Sequence, residues 1–202
     1  MKKIFLATLS ILTTTLSFGQ TVFGLKAGMN LSTTQGFALE NKSIIAEHGG
    51  VYANINFSKR LFLRPELLYT VKGYKFPAIG MHDKGTLSFS YIAVPMLIGY
   101  RPTNRFSVSL GPEAGYLINA KYRFPDSTAS HPEYFNKVDL AINIGTACTI
   151  NRKFSAELRY SHGFKGLVDV TYTDQYGNQT GKGKIGAHRN FQLSLNYQLT
   201  NK

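Results

Sequence analysis

The five histidines have the clearest capacity for chemistry, because imidazole binds transition metals and exchanges protons near neutral pH. All five fall in long polar segments or at the strand ends beside them: His48, His82, His131, His162 and His188. Carboxylates fall in the same segments: Asp83, Asp126, Glu133, Asp169 and Asp174. Converging imidazoles and carboxylates could bind a divalent transition metal. No two histidines stand two or four residues apart, however, so the sequence predicts scattered surface histidines and no metal site.

Nucleophilic chemistry has little support. The single cysteine, Cys148, falls on an apolar row, where a thiol is a small apolar filler rather than a reactive group. The chain has no G-x-S-x-G, H-E-x-x-H or paired-cysteine signature. The sequence therefore predicts no catalytic residue, no cofactor and no enzyme activity.

A third set of ionisable residues lies on the polar faces of alternating segments. Its members are Lys26, Arg64, Glu66, Lys72, Glu113, Asp139, Glu157 and Arg159. The cations and carboxylates of this set are equal in number, and buried charges are costly unless they are paired. We therefore predict a structural salt-bridge network that fills the interior of a barrel like a plug.

The elements that must position these residues are strands, because apolar and polar residues alternate with a period of two. In the first segment Phe23, Leu25 and Met29 share one face, while Lys26 and Gly28 share the other. Segments of this kind occupy residues 22–31, 51–57, 61–72, 87–100, 106–116, 138–150, 154–161 and 191–199. The pattern predicts an all-β protein: an eight-stranded antiparallel up-and-down transmembrane β-barrel.

Two details of the strands are less regular. The fourth segment is apolar on both faces, and we take Ile92-Val94-Met96-Ile98-Tyr100 as its outer row. Pro65, Pro95 and Pro112 fall inside strands, where each removes a ladder hydrogen bond, so local bulges are expected there.

The connections between segments alternate in length. Residues 58–60, 101–105 and 151–153 form short turns, whereas 32–48, 73–86, 118–136 and 163–189 form long stretches. Outer-membrane barrels have short periplasmic turns and longer outer loops. Both termini are then periplasmic and the strand count is even.

The N-terminus has the layout of a cleaved signal peptide. Lys2 and Lys3 precede an apolar stretch from Ile4 to Leu16, and Ser17 and Gly19 supply small residues before Gln20. Residues 1–19 are predicted to be removed on export, and residues 20–202 to form the barrel domain. Nucleic-acid binding is not expected of an exported chain without a basic-aromatic motif.

A membrane barrel is favoured over a soluble one. The polar face is rich in Gly, Ser, Ala and Asn, which suits the crowded interior of a narrow barrel, whereas a water-facing exterior carries many Lys and Glu. The prediction is a monomeric integral protein of the cell outer membrane, in contact with lipid, with a structural or interaction role through its outer loops toward an extracellular or envelope protein. Two alternatives stay open: an enzyme acting at the barrel rim, and a soluble lipocalin-like carrier of an apolar ligand.

The formal net charge of +12 is concentrated at one end of this barrel. The short turns and the C-terminus contain seven basic residues and no acid: Lys59, Arg60, Arg101, Arg105, Arg152, Lys153 and Lys202. This rim is predicted to lie against anionic phospholipid headgroups.

Several stretches in order carry a family resemblance: Leu63 to Tyr69, Lys72-Gly73, Tyr91 to Ile98, Gly111 to Tyr116, and Glu157 to Tyr160. Over essentially the whole mature chain they resemble the PorT-like outer-membrane β-barrel proteins of Gram-negative bacteria. The resemblance implies the same small barrel in the outer membrane. The founding member of that family is linked to protein secretion, a role not transferred to this chain. Ala93 stands where the family usually has an acidic residue, and the chain ends without a terminal aromatic residue.

Overall fold

The computed structural model describes residues 21–35, 41–78, 84–173 and 179–199. Its eight long strands form a closed antiparallel barrel. They are β1 (Thr21–Gln35), β2 (Lys42–Asn56), β3 (Leu61–Phe76), β4 (Gly85–Tyr100), β5 (Phe106–Arg123), β7 (Val138–Thr149), β8 (Phe154–Gly163) and β11 (Ala187–Gln198). Each strand pairs with its sequence neighbours in the barrel, and the β1–β11 pairing closes the wall. A short strand β6 (Thr128–Ser130), a 3-10 turn Pro132–Tyr134 and a separate hairpin of β9 (Val168–Thr173) and β10 (Gln179–Ile185) lie in two of the long connections.

The predicted alternation of inner and outer residues is confirmed. In β11, for example, Leu193 and Leu195 are exposed while Ser194 and Asn196 are buried. The outer row chosen for β4, from Ile92 to Tyr100, is also the exposed one. Phe89, Tyr91 and Leu97 of the same strand point inward, which is why this strand reads as apolar on both faces.

The strands extend further into the long connections than predicted. β1 continues to Gln35 and β2 begins at Lys42, so most of the stretch 32–48 is ladder rather than loop. Similar extensions lengthen β3, β4 and β5 at the same end of the barrel, which we call the loop end. The sequence missed them because an outward face that has left the apolar surroundings no longer needs an apolar row. Exposed Lys42 and Glu47 of β2 illustrate this.

The bulges expected at the prolines are absent. The register of β3 on β4 is the same on both sides of Pro65, and the registers around Pro95 and Pro112 continue unbroken. Each proline is accommodated by the loss of its own ladder hydrogen bond and not by an inserted residue. The bulge in the β4–β5 pairing lies instead at Ser90 and Tyr91.

Three short turns at the opposite end, the turn end, share one local design. Ser58, Thr103 and Asn151 each place a side-chain oxygen over the turn, which accepts hydrogen bonds from the backbone N–H groups two and three residues later at 2.9–3.3 Å. Such side-chain caps fix tight turns because they satisfy backbone donors locally. The capped turns hold the basic residues beside them at the rim.

Within the described residues, no helix is long and apolar enough to span a membrane.

Candidate functional site

The predicted interior residues form two clusters inside the barrel. The first lies nearer the turn end and contains Lys26, Arg64, Glu66, Glu157 and Arg159. Arg159 donates to Glu66 in a bidentate pair, from Nη1 to Oε2 at 2.9 Å and from Nη2 to Oε1 at 2.8 Å. This geometry fixes the two planar groups in one orientation. Lys26 Nζ lies 3.0 Å from an oxygen of Glu66 and 3.0 Å from one of Glu157.

Glu157 is the centre of this first cluster. It accepts from Lys26 Nζ at 3.0 Å, from Arg64 Nη1 at 2.9 Å and from Arg159 Nε at 2.9 Å. Asn196 Nδ2 donates a further bond at 3.0 Å. Side chains from four strands thus meet at one carboxylate, and Glu157 itself is only 1% exposed.

The second cluster lies toward the loop end. Lys72 Nζ is 2.9 Å from Glu113 Oε1 and 2.9 Å from Asp139 Oδ2, and Asn143 Nδ2 donates to Glu113 Oε2 at 2.8 Å. Buried Leu68 and Thr70 of β3 separate it from the first cluster. The first cluster has one excess positive charge and the second one excess negative charge, so the interior is neutral only as a whole.

Two of the histidines lie inside the barrel, which corrects the prediction that all five are scattered on the surface. His48 is 3% exposed and its Nε2 lies 2.8 Å from Ser194 Oγ, while His188 contacts Tyr91 Oη and Thr34 Oγ1 at 3.2 Å each. The sequence placed them at the ends of long loops because the strand extensions were not visible in its pattern.

The Ser194–His48 pair lacks the other parts of a hydrolytic site. His48 Nδ1 is buried without a hydrogen-bond partner, so no carboxylate orients the ring. Both residues are 3% exposed. The pair is therefore a structural hydrogen bond in the interior, although its two residue types alone suggest nucleophilic catalysis.

The remaining candidates from the sequence stay apart. His131 lies in a loop with its Nδ1 2.9 Å from Glu133 Oε1, and His162 lies at the loop end of β8 beside Tyr160. The pKa of the Glu133 carboxyl is lowered, first by a hydrogen bond with the backbone of Glu133 itself and then by the hydrogen bond with His131. His82, Asp83 and Asp174 lie outside the described residues. Among those described, no group of three or more potential ligands could hold a metal.

An apolar cluster closes the barrel toward the loop end. It contains Tyr74, Leu87, Phe89, Tyr91, Leu117, Ala120, Phe135 and Leu167. Phe89 is fully buried, with its ring edge-on to Phe135 at 4.9 Å and to His188 at 5.3 Å between centroids. Phe135 and Leu167 come from two different loops. Asn136 joins these loops, donating through its backbone N–H to Leu167 O at 2.7 Å and through Nδ2 to Gly166 O at 3.0 Å.

A cavity of about 950 Å³ opens at the turn end. Its charged lining residues are Lys59, Arg64, Arg101, Arg152 and Lys153, and none of the described residues that line it is a carboxylate. Arg64 links the cavity to the first cluster, because it lines the cavity and also donates to Glu157. Sequence reasoning found the basic turns but missed the cavity, since the cavity exists only once the turns surround an interior.

Known families and structures resemble this architecture. The outer membrane protein beta-barrel domain family matches residues 18–169, which is most of the chain. The chain belongs to the outer-membrane β-barrel family. Among solved structures of this kind, neisserial surface protein A is 11% identical with a TM-score of 0.53, and the match covers 88% of this chain and 96% of that one. A major outer membrane protein from Thermus thermophilus is 12% identical with a TM-score of 0.50, covering 89% and 100%. No curated protein matches the chain.

As an outer-membrane β-barrel, the protein presents its outer rows to lipid. The outward residues of β1 from Phe23 to Leu31 and those of β11 from Phe191 to Tyr197 are uncharged. Cys148 belongs to such a row and is partly exposed on the outside of β7. The short turns of such barrels face the periplasm and the longer loops the exterior. The basic cavity therefore opens to the periplasm, and the apolar cluster lies beneath the extracellular loops.

Aromatic pairs mark two levels of the lipid-facing wall. Phe154 and Tyr197 pack at 5.1 Å between ring centroids near the turn end, and Tyr160 and Phe191 at 4.8 Å further along the same two strands. The six-residue step between the pairs spans roughly 20 Å of strand. Leu158 and Leu193 face each other between them. The two pairs therefore lie at two depths of the same outward face.

Proposed function

We propose that this protein is a closed, non-catalytic outer-membrane barrel that acts by presenting its extracellular loops to a protein partner. The observation that carries the proposal is the occupied interior. Two buried ion clusters and an apolar cluster follow one another from the periplasmic cavity to the loops. A narrow barrel filled in this way has no room for a solute path, so its function is assigned to its ends.

The extracellular end carries ordered, exposed aromatic residues. Tyr134 is 66% exposed and stacks on His131 at 5.3 Å between ring centroids, and Phe164 is 62% exposed. Tyrosine and phenylalanine with an apolar body outside a protein core are typical of contact surfaces. The hydrogen bonds of Asn136 hold these two loops together, so the surface is already arranged before a partner binds.

The two alternative functions gain no specific support. A lipocalin-like carrier needs a large apolar cavity, whereas basic and neutral polar residues make up most of the lining of this cavity, beside a few apolar ones such as Val22 and Phe154. A rim enzyme needs an accessible base and nucleophile, whereas the Ser194–His48 pair is buried in the interior.

The closed interior predicts that the purified barrel does not conduct. In planar lipid bilayers at high salt, we expect the barrel to insert without giving stable unitary current steps. The paired charges and the apolar cluster around Phe89 leave no continuous water path. A general porin of known conductance is the positive control. Reproducible single-channel steps from the pure protein would contradict the closed interior.

The loop-end proposal predicts contact with a partner in intact cells. A photo-reactive phenylalanine analogue at Tyr134 is expected to give one reproducible protein adduct on irradiation. The same group at Leu193, which faces lipid, is the matched control and is expected to give none. Equal adduct patterns at the two positions, or no adduct at Tyr134 or Phe164, would remove the support for a loop-end partner.

We further propose that the chain is a PorT-like member of its family and is exported through residues 1–19. The ordered stretches from Leu63 to Tyr160 support the first statement, and the basic, apolar and small-residue order of the N-terminus supports the second. N-terminal sequencing of the mature protein is expected to begin at Gln20. Retention of Met1 in membrane-inserted protein would argue against cleavage.

A further inference from the structure

The periplasmic cavity has a composition that its fold does not require. Its lining contains five cationic side chains, from Lys59, Arg64, Arg101, Arg152 and Lys153, together with neutral polar residues such as Asn54 and Asn104. Cations at a solvated rim normally spread apart, since like charges repel. Here three turns and Arg64 of β3 place these cations around one cavity of about 950 Å³.

Two arginines of the cavity lining have their guanidinium groups over aromatic rings. Arg101 Cζ lies 4.1 Å from the centroid of Phe62, and Arg64 Cζ lies 4.9 Å from that of Tyr52. Stacking orients a guanidinium without using its N–H donors, so the donors that make no other hydrogen bond remain able to bind an oxyanion. Arg64 is 6% exposed and uses Nε for Asn54 Oδ1 and Nη1 for Glu157 Oε2, while it lines the cavity.

The electrostatics of Arg101 agree with an excess of positive charge. Burial, and then the charge of Arg64, lower the pKa of Arg101. A cation whose environment disfavours its charge gains most from an incoming anion.

We propose that this cavity is a binding site for a phosphate-bearing polyanion on the periplasmic side of the membrane. Arginine recognises phosphate oxygens through paired N–H groups, and lysine adds a mobile positive charge. The cavity accommodates more than one phosphate group, and the four lining cations other than Arg64, which is paired with Glu157, match several negative charges. The ligand chemistry is shared by water-soluble polyphosphates and by anionic lipid headgroups. The barrel wall lies between the cavity and the acyl chains, which favours the soluble source.

The test is a titration of the intact mature barrel, in phosphatidylcholine nanodiscs, with inorganic tripolyphosphate. Isothermal calorimetry is expected to show saturable one-to-one binding that weakens as salt is raised. Arg101→Gln is expected to weaken binding by about tenfold or more, because it removes a stacked guanidinium from the lining. Lys153 is an exposed lining residue that folding does not require. Lys153→Gln is therefore also expected to lower the affinity for tripolyphosphate.

The controls come from the same turns. Arg105 shares a turn with Arg101, and Arg60 shares one with Lys59, but neither lines the cavity. Arg105→Gln and Arg60→Gln remove the same charge and are expected to change the affinity by less than about twofold. No saturable binding, or equal losses in Arg101→Gln and Arg105→Gln, would overturn the proposal in favour of diffuse attraction to a basic rim.

A second arm distinguishes the sources of the phosphate. Nanodiscs that contain phosphatidylglycerol are expected to leave the tripolyphosphate affinity of the cavity nearly unchanged if the ligand is soluble. If phosphatidylglycerol instead competes with tripolyphosphate for the cavity, and this competition disappears in Arg101→Gln, the site would be assigned to a lipid headgroup. Either result is independent of the loop-end proposal, because the cavity and the loops lie at opposite ends of the barrel.

Discussion

Replacement of Glu157 by glutamine is expected to lower the free energy of unfolding by about 3–5 kcal/mol, the loss measured when one member of a buried ion network is removed. The side chain keeps its size but loses the charge that three cations share. Lys26, Arg64 and Arg159 then have only Glu66 as a counter-charge in the first cluster. Urea unfolding of the refolded barrel in lipid vesicles, followed by heat-modifiable gel mobility, measures the loss.

Two further variants serve as controls for this prediction. Glu133→Gln removes a carboxylate from an exposed loop and is expected to leave the free energy of unfolding nearly unchanged. Combining Glu157→Gln with Lys26→Met removes one of the stranded cations, so the double variant is expected to lose less than the sum of the two single changes. A loss for Glu157→Gln no greater than that of Glu133→Gln would show that the cluster is solvated and not a structural plug.

Phe89→Ala is expected to lower the free energy of unfolding by about 3–5 kcal/mol, because it empties the centre of the apolar cluster. Phe89 is 0% exposed and packs against Phe135 and His188, so little can move in to fill the space. The same urea titration measures the effect.

The matched control is Phe191→Ala on the lipid-facing side. Phe191 is 53% exposed, and lipid chains can occupy the space that its ring leaves. We expect it to lose less than half as much stability as Phe89→Ala. Equal losses would mean that the inner cluster is no better packed than the outer wall, and the closure of the extracellular half would then need another explanation.

The wall of the barrel could be predicted from sequence because its two faces meet different surroundings. Lipid favours apolar residues at every second position, and most interior positions outside the apolar cluster hold small or polar residues, so Leu193 and Ser194 are distinguished by parity alone, that is, by odd or even position. The same parity placed Lys26, Glu66 and Glu157 in the interior. Parity does not give their partners, because pairing across the interior depends on the stagger between strands. Thus Lys26 on β1 meets Glu157 on β8, a contact that no local pattern encodes.

The predictions failed where the surroundings change along one strand. The regular alternation of β2 ends at Val51, and its continuation to Lys42 lacks one: Gly49-Gly50 and Glu47-His48 follow the apolar run Ile44-Ile45-Ala46. The prediction was wrong for His48 and His188 for that reason. The cavity has another origin: the basic turns are visible in the sequence, but their convergence on Arg64 requires the closed barrel.

The central claim is that the apolar rows face lipid and the charged rows face the interior, and it can be tested with one pair of adjacent residues. The chain has no tryptophan, so Val51→Trp and Tyr52→Trp each create a single fluorophore at the same depth. Val51 is 47% exposed on the outer wall, whereas Tyr52 is 5% exposed and lines the periplasmic cavity. In vesicles of brominated phosphatidylcholine, we expect strong quenching of the tryptophan at position 51. The tryptophan at position 52 is expected to be quenched weakly by bromine and more readily by aqueous acrylamide. Equal quenching at both positions, or the reverse order, would contradict the assignment of every strand.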